Sequence, residues 1–514
     1  MPSPQEKLAN ALQALGQLQA KEKVAIRTSD LQRLDRELLV KNGFLQEVMK
    51  GWYIPARPDQ PAGESTAWYA SFWAFCADYL GERFGDEWCI SPEQSLLLHV
   101  GNKVVPRQLI VRSPQAKNNT TELPHKVSIL DIQLPMPAKG QMQRIDGINA
   151  FSLPASLLFC SSTLFRQNPI DARAALSTIA DASELLSLIL EGGHTNYAGR
   201  LAGALRNIGR KKVADDILTT MKSAGYDCRE EDPFEAPAPI TLSRRERSPY
   251  VSRIKFMWQT MREAVIAVFP EKPGIPKDSK EYLDRVQEIY VTDAYHSLSI
   301  EGYRVSTELI EKVRQGSWNP DVDDNHREHR NALAARGYWL AYQVVKESIV
   351  RVLSGENAGE VADDDHGAWY RELFAPSFTL GLLKPGDLAG YRTDQVFIRH
   401  SMHVPPSKDV VRELMPALFD LLREEEEPAV RAVLGHFVYV YIHPYMDGNG
   451  RTGRFLMNVM LASGGYPWTV VPVTRREDYV KSLEKASVEQ DIEPFAELLS
   501  TLVQSTIDGK PEAK

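Results

Sequence analysis

A pair of apolar-faced helices joined by a glycine-rich loop is the feature that most constrains the fold. Pro428 can open the first helix, and apolar residues then recur at helical spacing up to about Ile442. His443 ends this helix, and a second one is predicted from about Thr452 until Gly464 stops it. The periodicity from about residue 251 onward is mostly helical, so we expect an all-α bundle around this loop.

The loop itself combines four features that suit phosphate chemistry. Glycines at a helix start leave several backbone N–H groups pointing the same way, and the helix dipole adds positive charge there. Arg451 and Arg454 supply planar cations beside this cradle. Asp447 is a carboxylate of the kind that binds Mg²⁺ together with substrate phosphates. His443 can remove a proton at neutral pH, so the set predicts transfer of a phosphorus-centred group to a hydroxyl.

The whole string HPYMDGNGRTGR, from His443 to Arg454, resembles the signature of the Fic family, H-P-F-x-[DE]-G-N-G-R-x-x-R. Only Tyr445 departs from that pattern, in the place of a phenylalanine that anchors the loop in the core. The resemblance implies an enzyme that uses ATP and Mg²⁺ to move AMP onto a hydroxyl of a protein.

The family pattern also implies a role for each residue of the loop. His443 would be the general base, Asp447 the magnesium ligand, and Asn449 with the loop amides the anion hole for the α-phosphate. Gly450 favours AMP transfer, because the Doc branch of the family carries a lysine there and transfers phosphate. The implied nucleotide-binding residues are Gly448, Asn449, Gly450, Arg451 and Arg454.

Two segments upstream, at residues 386–392 and 396–406, resemble the glycine turn and the flap of the family. A flap is a β-hairpin that aligns the target protein by adding a strand to it. We therefore predict a short hairpin around residues 396–404. Its candidate target-binding residues are Phe397, Ile398, His403 and Val404.

A second motif predicts an internal inhibitor. The string SLSIEG, from Ser297 to Gly302, resembles the inhibitory pattern [ST]-x-x-x-E-[GN] of Fic proteins, on a helix expected around residues 281–302. Ser297 and Glu301 are four residues apart and share a helix face. By this resemblance Glu301 pairs with Arg454 in the place of the ATP γ-phosphate.

The rest of the chain is predicted to form further domains, since 514 residues exceed one ordinary core. The expected fold class is multidomain α+β. Residues 1–57 form a winged helix-turn-helix, 58–228 a mixed α/β domain of unknown role, 229–250 a proline-rich linker with a basic cluster at 244–247, and 251–514 the catalytic domain. In the second of these we expect a helix over 67–79, strands over 108–112 and 127–134, and a helical region over 171–225.

Residues 1–57 loosely resemble the winged-helix heads of abortive-infection antitoxin regulators. The pattern predicts helices over about 4–20, from about Thr28, and over 36–42, followed by two strands within 44–54. This segment carries nine Lys/Arg, including Arg57, against six Asp/Glu. DNA is therefore a candidate partner for these residues, with purely protein contacts as the alternative.

Composition excludes several classes of function. A net charge of -8 opposes indiscriminate nucleic-acid binding, and no apolar run is long enough for a membrane span. The four cysteines are far apart, which argues against a zinc site and a disulfide framework. Without a recognisable secretory signal, we expect a cytoplasmic location.

Three functions remain open from the sequence. The first is a self-inhibited protein AMP-transferase, with a protein substrate, possible self-modification and possible oligomers. The second is removal of AMP from a modified protein by the same site. The third is a DNA-binding regulator that carries a nucleotide-binding Fic module.

Overall fold

The computed structural model describes residues 3–21, 23–56, 58, 65–241, 248–318, 326–379, 385–388 and 390–513. They divide into two compact units, of which unit 1 comprises residues 1–256 and 397–404, and unit 2 comprises residues 257–396 and 405–514. Arg57 and the basic cluster predicted at 244–247 lie outside the described residues.

The helices and strands have the following bounds. The helices are α1 Pro4–Gln19, α2 Arg33–Lys41, α3 Thr66–Phe84, α4 Pro92–His99, α5 Leu153–Phe159, α6 Ser162–Gln167, α7 Pro169–Ser177, α8 Ser183–Gly192, α9 Thr195–Asn207, α10 Lys211–Ser223, α11 Pro249–Val268, α12 Ser279–Ile300, α13 Thr307–Arg314, α14 His326–Leu353, α15 Ala358–Thr379, α16 Lys408–Glu424, α17 Pro428–Ile442, α18 Asn449–Ala462, α19 Arg476–Glu489 and α20 Glu493–Ile507. The strands are β1 Ile26–Arg27, β2 Leu45–Met49, β3 Trp52–Pro55, β4 Cys89–Ile90, β5 Gln108–Ser113, β6 Thr120–Leu123, β7 Val127–Gln133, β8 Met142–Ile145 and β9 Ile148–Phe151.

Unit 1 begins with a small α/β segment. A capping box between Ser3 and Glu6 starts α1. The strands β1, β3 and β2 form an antiparallel sheet in that order. The helix predicted from Thr28 is wrong: the chain turns there, because the Asp30 carboxylate accepts the Arg27 N–H at 2.7 Å. Two helices and a three-stranded sheet therefore replace the predicted order of three helices and a two-stranded segment.

The middle of unit 1 is mixed α/β, as predicted. Its four-stranded sheet has the order β4-β5-β7-β6 and includes a parallel β5–β7 pair, and a separate antiparallel pair joins β8 to β9. The aromatic helix α3 covers the predicted 67–79, and the helical region predicted over 171–225 consists of helices α7 to α10. A core rich in aromatic side chains joins α3 to these strands.

The predicted hairpin over residues 396–404 is wrong, because these residues contain no strand. Two consecutive prolines, Pro405 and Pro406, follow and cannot donate to a ladder. Val404 is buried in the aromatic core of unit 1. The Met402 carbonyl accepts the Val105 N–H at 3.1 Å, so this segment, the flap, is held by unit 1.

Unit 2 is built from helices, and its described residues contain no strand. Helices α17 and α18 form its centre and are buried along nearly their whole length. Pro428 occupies the first turn of α17 and His443 follows its last residue, both as predicted. Helix α18 begins at Asn449, three residues before the expected start, and so reaches into the glycine loop.

Among the helices of the described ranges, none has both the length and the apolar character that a membrane crossing requires.

Candidate active site

The loop between α17 and α18 is closed by its own residues. His443 adopts a left-handed conformation with φ 54°, and Gly448 does the same with φ 82° at the cap of α18. The Asn449 carboxamide accepts the Tyr445 N–H at 2.9 Å and donates to the Tyr445 carbonyl at 2.8 Å. The Asn449 side chain therefore fixes the conformation of the loop.

Those amides lie at the start of α18. The first bond within the helix runs from the Thr452 N–H to the Gly448 carbonyl at 2.9 Å. The preceding N–H groups, from Asn449 to Arg451, have no partner inside the helix, as at any helix start. These N–H groups, with the helix dipole, are the ones that the sequence predicts to hold an anion.

The substituted position in the motif fits its aromatic surroundings. The ring of Tyr445 stacks face to face on Tyr370, with centroids 3.7 Å apart and an interplanar angle of 3°. Tyr445 is buried, so the tyrosine anchors the loop in the core as the usual phenylalanine would.

His443 is the residue predicted to act as the general base. Its Nδ1 lies 3.1 Å from the Val440 carbonyl, which can only accept, so Nδ1 carries the proton and Nε2 keeps a free lone pair. Burial lowers the pKa of His443 below its ordinary value, and the nearby Arg392 lowers it further. The imidazole is therefore neutral at pH 7.

Arg392 supports the backbone around this histidine. Its Nε donates to the His443 carbonyl at 2.8 Å, and its own N–H donates to the Pro444 carbonyl at 2.9 Å. Its Nη2 donates to the Pro406 carbonyl. Arg392 lies at the end of the predicted glycine turn, where the sequence indicates no role for it, because its partners are backbone carbonyls that no motif records.

Asp447, the predicted magnesium ligand, is exposed. Its Oδ1 accepts the Gly448 N–H at 2.6 Å, and its Oδ2 lies 3.4 Å from Arg451 Nη2. No group of three or more metal-binding side chains occurs among the described residues. The exposed Asp447 carboxylate is a hard oxygen donor of the kind that Mg²⁺ takes, one or two at a time, together with phosphates and water.

Arg451 is buried between two aromatic rings. Its guanidinium lies 5.2 Å from the ring centroids of both Tyr303 and Phe374. Its Nε is buried without a hydrogen-bond partner. Cation–π contacts therefore replace part of its hydration, and neither aromatic residue was identified from the sequence.

Arg454 joins the two motifs. Its Nη2 donates to Glu301 Oε1 at 2.8 Å and to the Ser297 carbonyl at 3.0 Å, and its Nε donates to Ser297 Oγ at 2.9 Å. The Arg454 side chain is 5% exposed and that of Glu301 is 29% exposed. Helix α12 ends at Ile300, and Gly302 follows with φ 86°, so Glu301 sits at the helix cap. The structure thus brings Ser297, Glu301 and Arg454 together.

The space above Gly450 is adjacent to this ion pair. A Cβ atom on Gly450 would lie 2.3 Å from Glu301 Oε1 and 3.2 Å from Arg454 Nη1. Arg454 Nη1 is buried and has no partner, so one donor of this cation is unused beside the amide cradle. A phosphate group placed there would satisfy it, and these residues therefore fit a nucleotide triphosphate.

The four predicted flap residues divide into two pairs. Phe397 is 40% exposed and Ile398 is half-buried, so both can meet a target protein. His403 and Val404 are 2% and 6% exposed, which corrects their prediction as surface residues. The same side chains that would have formed the second arm of a hairpin instead contribute to the interior of unit 1.

Several basic residues of the N-terminal segment already have acidic partners. Lys23 pairs with Asp30 and Arg27 with Glu82, and Arg33 pairs with Glu37 on the surface of α2. Paired cations bind phosphates less strongly because the partner competes. DNA binding through residues 1–57 stays a prediction.

This chain is similar to several known proteins. Residues 364–461 match the Fic/DOC family. The chain is similar to "Protein adenylyltransferase Fic" of Nematostella vectensis, with 30% identity over 275 residues, covering 52% of this chain and 59% of that protein. The protein of the same name from Drosophila willistoni is 32% identical over 229 residues, covering 43% of this chain and 42% of that protein.

Among solved structures, Fic-1 (aa134 - 508) from C. elegans aligns with a TM-score of 0.38 and 21% identity, covering 67% of this chain and 98% of that chain. The chain spans about half the length of the curated relatives that it matches.

Proposed function

We propose, from the premise that this chain contains a Fic-family domain, that it transfers AMP from ATP to a hydroxyl of a protein and restrains this activity with Glu301. The contact between Arg454 and Glu301 carries the proposal, since it joins both motifs in one buried site. The relatives named protein adenylyltransferase support the reaction class.

The transfer step follows from the positions of the loop residues. His443 Nε2 takes the proton of the target hydroxyl, and the hydroxyl oxygen forms a bond to the α-phosphorus of ATP. The bond between the α-phosphorus and its bridging oxygen breaks, and pyrophosphate leaves. Amides at the start of α18 hold the negative charge that develops on the α-phosphate. Asp447 would hold Mg²⁺, which neutralises the phosphates when bound.

The restraint is a competition between two anions for one cation. With Glu301 on Arg454 Nη2, a γ-phosphate loses that donor and meets a carboxylate instead. The ion pair is largely buried, where charge-assisted hydrogen bonds contribute about 1.5–3 kcal/mol each. ATP must therefore bind in a displaced position or expel Glu301 first.

The test is AMP incorporation from labelled ATP into the protein itself and into a cell lysate. We expect Glu301→Gly to raise incorporation, and Glu301→Gln to raise it less, because glutamine keeps the bulk and loses the charge. His443→Ala in the Glu301→Gly background removes the base, with a fall of about 10²–10⁴ in rate. Binding of ATP to Glu301→Gly without transfer to any protein would reject the proposal.

The pH dependence of the Glu301→Gly variant gives a second test. Because the pKa of His443 is lowered by burial, the base stays deprotonated below the usual midpoint of histidine, near 6.5. We expect the transfer rate to be flat around pH 7 and to fall only on the acid side of that midpoint. A rate that rises with pH through 6.5 to 8 would contradict this assignment.

Removal of AMP from a modified protein is the second candidate, since the exposed part of the Glu301 carboxylate can contact solvent water. Incubation of the wild type with an AMP-modified target distinguishes the two, because removal requires Glu301 whereas transfer is restrained by it. Release of AMP by the wild type but not by Glu301→Gly would favour removal.

A further inference from the structure

The four-stranded sheet of unit 1 has one face in the core and a second face that is open in part. Leu109 and Val111 of β5 lie in the aromatic core. Successive side chains of a strand point to opposite faces, so Ile110 and Arg112 lie on the second face. On the parallel strand β7, Ile132 pairs with Arg112. Ile110 is 39% exposed, so this second face of the sheet reaches solvent.

A cleft of about 400 Å³ lies against the second face. Clefts of roughly 300–1,000 Å³ with apolar walls and a few polar groups are typical of small-molecule sites. Its walls are mostly apolar and combine aliphatic side chains with two phenylalanine rings, from the end of β9 and the end of α5: Ile110, Ile132, Leu134, Phe151 and Phe159. The size and the lining therefore suit a ligand with an apolar body.

Arg112 supplies a positive charge to this cleft. Its guanidinium lies 5.5 Å from the ring centroid of Phe151, and its Nε is buried without a hydrogen-bond partner. In the described part of the chain no carboxylate pairs with Arg112, and neither Asp nor Glu lines the cleft. Since a partly buried cation gains strong hydrogen bonds from an anion, these surroundings favour an anionic ligand.

The two polar neighbours of Arg112 in the lining, Gln141 and Ser91, are also able to donate hydrogen bonds. Gln141 Oε1 accepts the Ala138 N–H at 3.3 Å, which leaves the Nε2 amino group to donate. Ser91 Oγ accepts the Gln94 N–H at 3.2 Å, which leaves its hydroxyl proton to donate. A ligand group that only accepts, such as a carboxylate, therefore matches the polar side of the cleft.

We propose that this cleft binds a small carboxylic acid with an apolar chain or ring. Its carboxylate pairs with Arg112, and its apolar part lies between the sheet and Phe159. Such a site gives the mixed α/β domain, for which the sequence indicates no role, a ligand-binding function separate from AMP transfer. The inference does not depend on the proposed function, because every residue that lines the cleft belongs to unit 1.

Calorimetry on the full chain tests the site with two probes of equal chain length, octanoate and 1-octanol. At neutral pH octanoate is an anion and 1-octanol is uncharged, so the difference between them measures the contribution of charge. We expect the Kd for octanoate to be at least about tenfold lower than that for 1-octanol, as a charge-assisted hydrogen bond provides. Equal affinities, or no binding of octanoate, would overturn the inference.

Arg112→Met removes the charge and keeps an apolar stem. We expect the Kd for octanoate to rise about tenfold and that for 1-octanol to stay unchanged. Arg200→Met is the matched control, because Arg200 also has a buried Nε without a partner and lies 5.4 Å from the Phe165 ring, but does not line the cleft. Arg200 also donates to the Leu158 carbonyl, so its loss should disturb unit 1 at least as much. A similar loss of octanoate affinity in both variants would reject the site.

Ile110→Glu is a second variant, at an exposed position where the fold tolerates a polar side chain. The added carboxylate repels octanoate, so we expect its Kd to rise at least about tenfold, whereas Ile110→Gln has the same shape without the charge and should bind octanoate more tightly than Ile110→Glu. Circular dichroism checks that all variants are equally folded. Equal affinities of the two Ile110 variants for octanoate would show that the probe binds elsewhere, which would also overturn the inference.

Discussion

The loop at residues 443–454 and the flap at residues 396–404 obtain their structure in opposite ways. The loop is closed by Asn449, whose partner Tyr445 is four residues away. The flap is held by Thr66 and Val105, which lie about three hundred residues earlier in the chain. Contacts between residues that are close in the sequence can be recognised as a motif, whereas contacts between distant segments cannot.

The largest expected effect comes from breaking the local closure. Asn449→Ala leaves the Tyr445 N–H and carbonyl unsatisfied in a buried loop, at about 1–3 kcal/mol for each group. We expect the transfer rate in the Glu301→Gly background to fall by about 100-fold, because the amides at the start of α18 lose their alignment. The measurement is the rate per folded protein, together with unfolding by denaturant.

Asn458→Ala is the control for that substitution. Asn458 lies on the same helix and also bridges backbone groups, accepting from the Thr469 N–H at 2.8 Å and donating to its carbonyl at 3.1 Å. We expect a comparable loss in the free energy of unfolding with a much smaller loss of rate. Equal losses of rate would mean that closure of the loop has no special part in catalysis.

The contrast between local and distant contacts also explains how much of the site could be predicted from the sequence. Residues 443–454 and the pair Ser297 and Glu301 were identified correctly as neighbours, because each motif is short and continuous. Arg392 and Phe374 were missed, since they reach the site from separate segments. The flap was predicted with the wrong conformation for the same reason.

Fold prediction shows the same limit. Periodicity correctly predicted α3, α17 and the helical unit 2, in which each helix has its own apolar face. The helix expected from Thr28 was wrong because a single side-chain contact, from Asp30 to the Arg27 N–H, favours a turn. The spacing of apolar residues does not indicate whether a side chain will hydrogen-bond to the backbone and so favour a turn over a helix.

The pH dependence of stability tests a contact between residues that are far apart in the sequence, because Tyr338 donates a hydrogen bond to the titratable carboxyl of Asp293. Burial raises the pKa of Asp293 to about 6 from 3.8, although the Tyr338 hydroxyl and Arg454 oppose this shift. The protonated Asp293 carboxyl therefore contributes its full stabilisation of the native protein below pH 3.8, and this contribution is lost as the pH rises through about 6. The asparagine side chain of Asp293→Asn does not titrate. The free energy of unfolding of this variant, relative to that of the wild type, should therefore rise by about 2 kcal/mol between about pH 4 and pH 8.

The measurement is denaturant unfolding of both proteins across this pH range. A difference between Asp293→Asn and wild type that stays constant with pH would show that the carboxyl does not titrate in the native protein.

Gly450→Ala tests whether the loop and the distant helix α12 are coupled. The added Cβ would lie 2.3 Å from Glu301 Oε1, the far end of a flexible side chain that can move away. We expect transfer by the otherwise wild-type protein to rise about tenfold, as the ion pair is weakened. In the Glu301→Gly background the same substitution should give no rise.

Gly453→Ala is the matched control, because its Cβ would contact Val440 and His436 and not Glu301. A similar rise in AMP transfer for both alanine variants would point to a general effect of alanine in α18. A rise for Gly450→Ala that persists without Glu301 would exclude displacement of the carboxylate as its cause.

The smallest effect is expected where the flap contacts the rest of unit 1. Thr66→Val removes the hydroxyl that accepts the His400 N–H at 2.9 Å in an exposed position, so the free energy of unfolding should fall by less than about 1 kcal/mol. Thr66→Ser keeps the acceptor and serves as the control. Hydrogen exchange of the flap amides should become faster in Thr66→Val, while exchange in residues 443–454 stays unchanged. Faster exchange in both segments would show that the loop, too, depends on distant contacts, and an unchanged flap would mean that Thr66 does not hold it.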